Sequence, residues 1–121
     1  MRILLIDDNQ QITKMLTTFL HLKGHECIAI NDGKSGIEIL KNENFDAVLL
    51  DLAMPEFSGY DVIDVLEKEN ELEKNKIIVF TASTISEIEL DKLVKRGVHS
   101  YLLKPTDLDD LTKLLNGLVN S

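Results

Sequence analysis

Three carboxylates, a hydroxyl and an ammonium carry the chemistry this sequence offers. They are Asp7 and Asp8, Asp51, Thr81 and Lys104. If they meet, the acids repel one another, and one would stay protonated unless a cation intervened. A hard divalent ion resolves the conflict. Mg²⁺ takes oxygen ligands and keeps several waters, so a few carboxylates suffice, and Mn²⁺ could stand in for it. Such an ion also neutralises an approaching phosphoryl group and aligns it with a nucleophile. A carboxylate can be that nucleophile, forming an acyl phosphate. Lys104 would then supply a second positive charge to the phosphoryl oxygens, and Thr81 a hydrogen-bond donor.

Whether these residues meet depends on the elements that carry them. Short, nearly continuous apolar runs occupy residues 2–6, 26–30, 45–50, 76–80 and 101–103. Ile, Val and Leu dominate them with little polar alternation, the mark of strands buried on both faces of a parallel sheet. Stretches of helical period lie between. Ile12, Met15, Leu16, Phe19 and Leu20 form one stripe, with Asn9 as N-cap and Gly24 as the stop. Ile37 and Leu40 mark a second helix, and Val62, Ile63 and Leu66 a third after Gly59. Leu90, Leu93, Val94 and Gly97 mark a fourth, with Ser86-Glu87-Ile88-Glu89 as a capping box at its start. Leu108, Leu111, Leu115 and Leu118 mark the last, preceded by Pro105 and Thr106. Strand and helix alternate five times. Right-handed crossovers then place helices on both faces of one doubly wound sheet, an α/β fold for which the flavodoxin-like order 2-1-3-4-5 is the usual solution. Ligands of such sheets bind beyond the carboxyl ends of the strands. Asp7-Asp8, Asp51, Thr81 and Lys104 all follow strand ends, so they are expected to converge.

Composition bounds the rest. A chain of 121 residues with 44% apolar residues suits a single packed domain, expected over 1–121 with no output domain attached. A net charge of −8 disfavours nucleic acid and anionic lipid. The one cysteine, Cys27, sits in an apolar run and reads as a buried hydrophobe. His21, His25 and His99 are too scattered for a zinc site. The apolar run 3–6 is too short for a signal peptide or a membrane span, which makes the cytoplasm the default location.

The motifs Asp7-Asp8, Asp51-Leu52-Ala53-Met54-Pro55 with Gly59, Thr81-Ala82 and Lys104-Pro105 come in this order along essentially the whole chain. In this the sequence resembles the receiver domains of two-component response regulators, of the CheY-like stand-alone type. The resemblance implies roles. Asp51 would be the phosphoacceptor, taking its phosphoryl group from a histidine kinase or phosphotransfer protein. Asp8, Asp51 and the backbone carbonyl of Ala53 would bind Mg²⁺, with Asp7 acting largely through water. Lys104 would pair with Asp51 and then with its phosphoryl group. Thr81 would be drawn inward on phosphorylation, and the ring of Tyr101 would fill the vacated space. The face made by helix 4, strand 5 and helix 5 would then change shape and control an effector protein, the domain being a monomer or a phosphorylation-promoted dimer. It would catalyse its own phosphorylation and slow dephosphorylation without being a turnover enzyme.

Some positions depart from the common pattern or stand open. Phe57 replaces the Met or other apolar residue of many relatives, with no consequence expected. Ala53 and Ser83 occupy positions that tune phospho-aspartate lifetime in the family, and neither is expected to position the attacking water. Ile85 and Ile88 lie off the fourth helix's stripe and could serve either as an exposed interface or as a cap on the core. Three other functions compete. An aspartyl-phosphate phosphatase would need an acid where Ala53 stands, and room for a cap. A flavodoxin-type cofactor binder would need a phosphate loop in place of Asp7-Asp8-Asn9. A degenerate receiver, docking without phosphorylation, would not need all five key residues.

Overall fold

The computed structural model describes residues 1–82, 84–104 and 107–119, so Ser83, Pro105 and Thr106 lie outside the described residues. The elements are β1 (Arg2–Ile6), α1 (Gln10–Leu22), β2 (Glu26–Ile30), α2 (Gly33–Asn42), β3 (Ala47–Leu50), α3 (Gly59–Lys68), β4 (Ile77–Ala82), α4 (Glu87–Arg96), β5 (Ser100–Lys104) and α5 (Leu108–Val119). The strands form one parallel sheet in the order β2-β1-β3-β4-β5, as expected. The doubly wound arrangement follows from which way alternate strand residues point. Leu4, Ile6, Val48, Leu50, Ile77 and Val79 pack with α2, α3 and α4. Ile3, Leu5, Ala47, Leu49, Ile78 and Phe80 pack with α1 and α5.

Strand boundaries differ from the apolar runs for local reasons. Lys76 has φ +51, a left-handed conformation no strand accommodates, so β4 starts at Ile77. At its other end Thr81 pairs with Leu103 and Ala82 with Lys104, so both functional residues sit on the last rungs of the ladder rather than beyond it. Phe45 precedes β3. Its ring packs under the Arg2 guanidinium, 4.6 Å from ring centre to Cζ.

Asn9 caps α1, its side chain accepting from the backbone N–H groups of Gln11 and Ile12, and Gly24 at φ +88 follows the helix end. The core stripes are narrower than periodicity suggests. Met15 is 51% exposed and Val94 is 37% exposed; both were expected in the core. In α1 the inner position is taken by Thr13, whose hydroxyl donates to the Gln10 carbonyl and so can be buried. Ile85 packs against the core beside α4, whereas Ile88 is 70% exposed, so the expected pair divides. Among the described residues, no helix is long and apolar enough to cross a membrane.

Candidate functional site

The sheet brings the side chains of Asp7, Asp8, Asp51, Thr81 and Lys104 to one edge. Asp7 follows β1, and its N–H donates to the Ile30 carbonyl at 3.1 Å, so the backbone leaves the sheet already anchored. Its carboxylate accepts from the Asn9 N–H at 2.9 Å, and its carbonyl accepts from the Asn31 side chain at 2.9 Å. Asp51 follows β3 in the same way, donating its N–H to the Ile6 carbonyl at 2.9 Å. Carboxylate oxygens of Asp7, Asp8 and Asp51 lie within 4.8 Å of one another; Asp7 and Asp51 are buried and Asp8 is exposed.

The Asp51 carboxylate is held on both oxygens. Oδ1 accepts from the Thr81 hydroxyl at 3.2 Å and from the Ala53 N–H at 3.3 Å. Oδ2 lies 3.8 Å from the Lys104 ammonium. Lys104 lies closer to Asp7, at 2.6 Å, so its principal partner is the acid after β1 and the expected pairing with Asp51 is the longer of two. Thr81 is turned towards Asp51 through this bond. Burial first, and the neighbouring Asp7 charge second, push the Asp51 carboxyl above the ordinary carboxylate range; Lys104, the Ala53 N–H and the Thr81 hydroxyl oppose this without cancelling it.

These donors suit a hard cation. Three carboxylates face one ammonium, which leaves two negative charges without a partner, and every ligand atom on offer is oxygen. An oxygen-ligated divalent ion such as Mg²⁺ therefore fits the cluster, with Asp8 open to solvent on its outer side.

The loop after Asp51 is built around close approaches. Gly59 starts α3 against Asp51 itself. A Cβ there would lie 2.3 Å from the Asp51 carbonyl oxygen and 2.7 Å from the Leu52 Cα. The Gly59 N–H donates to the Leu52 carbonyl at 3.1 Å, and Ser58 and Asp61 close a reciprocal capping box. Glu56 sits at φ 65, a strained conformation for a residue with a Cβ, costing about 1 kcal/mol. The Phe57 ring rests against Gly33 at the start of α2, so this loop packs on the neighbouring helix. Tyr101 is half-buried against the core beside α4; that burial, with Asp91 and Glu87 nearby, raises its phenol above the usual range.

Sequence reasoning missed Asn31, Gly59's close approach to the Asp51 carbonyl, and two residues of an adjoining groove, Tyr60 and Glu89. With Leu52, Ala53, Thr81, Thr84 and Ile85 they line a groove of about 240 Å³ between the starts of α3 and α4. A polar residue directly after strand 2 was the available signal for Asn31. The others depend on tertiary approach.

The family model described as "Response regulator receiver domain" matches residues 3–116. Protein PilH of Pseudomonas aeruginosa is 31% identical over 98% of this chain and 97% of its own length. Regulatory protein AtoC of Escherichia coli is 31% identical over 94% of this chain but only 24% of its own. The chain thus spans nearly all of the first relative and about a quarter of the second. Among solved structures, response regulator protein TrrA of Thermotoga maritima, crystallised in complex with Mg²⁺–BeF, superposes with a TM-score of 0.81 at 28% identity, covering 97% of each chain.

Proposed function

The chain belongs to the response regulator receiver domain family, whose role is phospho-accepting signalling, and we propose that Asp51 is its phosphoacceptor and that residues 1–121 act as one such switch. The observation that carries this reading is the placement of Asp51: a buried carboxylate within 4.8 Å of two other acids, with one oxygen held by Thr81 and Ala53 and the other facing Lys104.

In the proposed reaction an Asp51 oxygen attacks the phosphorus of a phosphohistidine on a histidine kinase or phosphotransfer protein. The O–P bond forms as the P–N bond breaks, and the imidazole leaves with a proton. Lys104 shifts from Asp7 towards the new phosphoryl oxygens, and Thr81 exchanges its bond to Oδ1 for one to the phosphoryl group. Asp8, Asp51 and the Ala53 carbonyl, with Asp7 behind, would hold Mg²⁺, or Mn²⁺ in its place. When bound, that ion supplies charge neutralisation of the transferring group. The TrrA complex with Mg²⁺–BeF supports this assignment by relationship. The resulting shift of the β4–α4 region and of Tyr101 would be read by an effector protein at α4, β5 and α5, through a population change between two arrangements. A cytoplasmic domain that phosphorylates itself from the donor and loses the group slowly, as a monomer or a phosphorylation-promoted dimer, completes the reading.

Acetyl phosphate with Mg²⁺, followed by intact-mass measurement, tests it. Wild type should gain one phosphoryl group and Asp51→Asn none. Equal labelling of the two, or labelling that persists in excess chelator, would overturn the assignment.

A further inference from the structure

The groove beside the acceptor carries a feature that neither capping nor packing explains. Ser86 accepts from the Glu89 N–H at 3.2 Å, which is half of the capping box its sequence encodes. At α3 the equivalent box is complete, with Asp61 turned back onto the Ser58 N–H at 2.9 Å. At α4 the box stops at its first half, and Glu89 instead lines the groove opposite Tyr60, whose phenol is raised by burial and by the Glu89 charge. Ala53 and Thr81, the two residues that donate to Asp51 Oδ1, also line the groove. Among the described residues, Glu89 is the one lining residue that carries a formal charge.

We propose that Glu89 and Tyr60 form a selectivity filter at the mouth of this groove, Glu89 by charge and Tyr60 by width, which disfavours free anionic phosphodonors at Asp51. This rests on the reading of Asp51 as acceptor. Every small phosphodonor is an anion, and it must approach an acceptor already crowded by acids. One further negative charge at the mouth lowers the local concentration of such donors in proportion to their charge. A protein donor escapes this penalty, because it can present cationic groups alongside its phosphohistidine. Glu89 and Tyr60 touch no reacting atom; they determine which donors arrive.

The test compares two donors of different charge, acetyl phosphate (about two negative charges at neutral pH) and phosphoramidate (about one), on intact protein with saturating Mg²⁺. Transfer to Asp51 releases acetate or ammonia, and uptake is timed by intact mass. Glu89→Gln should accelerate labelling about fivefold with acetyl phosphate but only about twofold with phosphoramidate at low salt, and both gains should vanish near 1 M salt. Glu89→Lys should go further in the same order. Glu87→Gln, the same charge change on the same helical turn but off the groove, is the control and should change neither rate by more than a small fraction. Tyr60→Ala should accelerate both donors equally. Equal acceleration of the two donors by Glu89→Gln, a salt-independent effect, or an equal effect of Glu87→Gln overturns the filter. A wild type that takes up no phosphoryl group at all overturns instead the assignment of Asp51 on which the filter rests.

Discussion

Replacing Gly59 with alanine perturbs Asp51, the proposed acceptor, through its own backbone. The glycine's φ is not in the left-handed region, so the cost is steric. The new Cβ would sit 2.3 Å from the Asp51 carbonyl oxygen, and both of its nearest neighbours are main-chain atoms that cannot rotate away. Reaching ordinary contact requires the start of α3 and the 51–52 segment to part by about 1 Å. Overpacking of this kind costs about 1–3 kcal/mol. Loss of the Gly59 N–H bond to the Leu52 carbonyl adds about 1 kcal/mol, and alanine's better helix propensity returns about 1 kcal/mol. The net is about 2 kcal/mol of destabilisation. For a domain of 121 residues this lowers the melting temperature by about 8 °C. Displacing a reacting group by about 1 Å costs on the order of 100-fold in rate, so labelling by acetyl phosphate should slow by at least tenfold. Gly117→Ala is the comparison. Nothing lies within 4 Å of a Cβ there, so the same substitution inside α5 should stabilise by about 0.5 kcal/mol and leave labelling unchanged. Thermal unfolding and timed intact-mass labelling of both variants decide the matter. A Gly59→Ala protein that melts with wild type, or one that loses stability yet labels at the full rate, would refute the coupling between α3 and the acceptor.

Two further outcomes follow from the electrostatics. Because burial and Asp7 raise the Asp51 carboxyl in the folded state, ionising it opposes folding. That penalty is absent at pH values below the ordinary carboxylate range, grows as pH rises through the raised value, and is complete above it. Without divalent metal, Asp51→Asn should therefore be more stable than wild type at neutral pH, the gap closing as pH falls towards about 4 and shrinking when Mg²⁺ is added; urea titrations across pH would show a constant gap if the reasoning is wrong. Arg96 joins the end of α4 to α3 through Asp64 at 2.6 Å and Glu67 at 3.0 Å, with 32% of its side chain exposed. Arg96→Ala should cost about 1 kcal/mol in dilute buffer and clearly less in 1 M salt; an equal loss in both would mean its alkyl stem, not its charge, holds the helices together.

How far the sequence could be read depended on how local each cause is. Apolar runs rich in Ile, Val and Leu identified all five strands, most clearly β1, β3 and β4, which are buried on both faces, whereas the edge strands β2 and β5 are only partly buried; strand ends then placed Asp7, Asp8, Asp51, Thr81 and Lys104 at one edge. Asn9 and Gly24 were legible because caps are set by residues two or three positions away. Met15 and Val94 were misplaced because periodicity gives the direction of a stripe and not its width; the neighbours packed on each helix decide the width. The Ser86–Glu89 box forms only its first half, and Glu89 lines the groove between the starts of α3 and α4, a tertiary placement that spacing alone does not encode.

The Lys104 contact is the one place where pairing runs against expectation, and physics explains it. Two buried carboxylates compete for a single ammonium, and Asp7, at 1% exposure, has less access to water than Asp51 at 6%. Asp51 also has Thr81 and Ala53 as donors, whereas the carboxylate of Asp7 accepts otherwise from the Asn9 N–H alone among the described residues. The cation therefore goes where the unmet demand is larger. This leaves Asp51 under-neutralised and its carboxyl raised, which on the proposed reading makes it a poor nucleophile until further positive charge is bound. On the proposed reading, a cation held by Asp7 and Asp8 would both lower the Asp51 carboxyl and free Lys104 to follow a phosphoryl group. On this account, readiness to accept phosphate and retention of a divalent ion are a single equilibrium, and Lys104 is the side chain that links them.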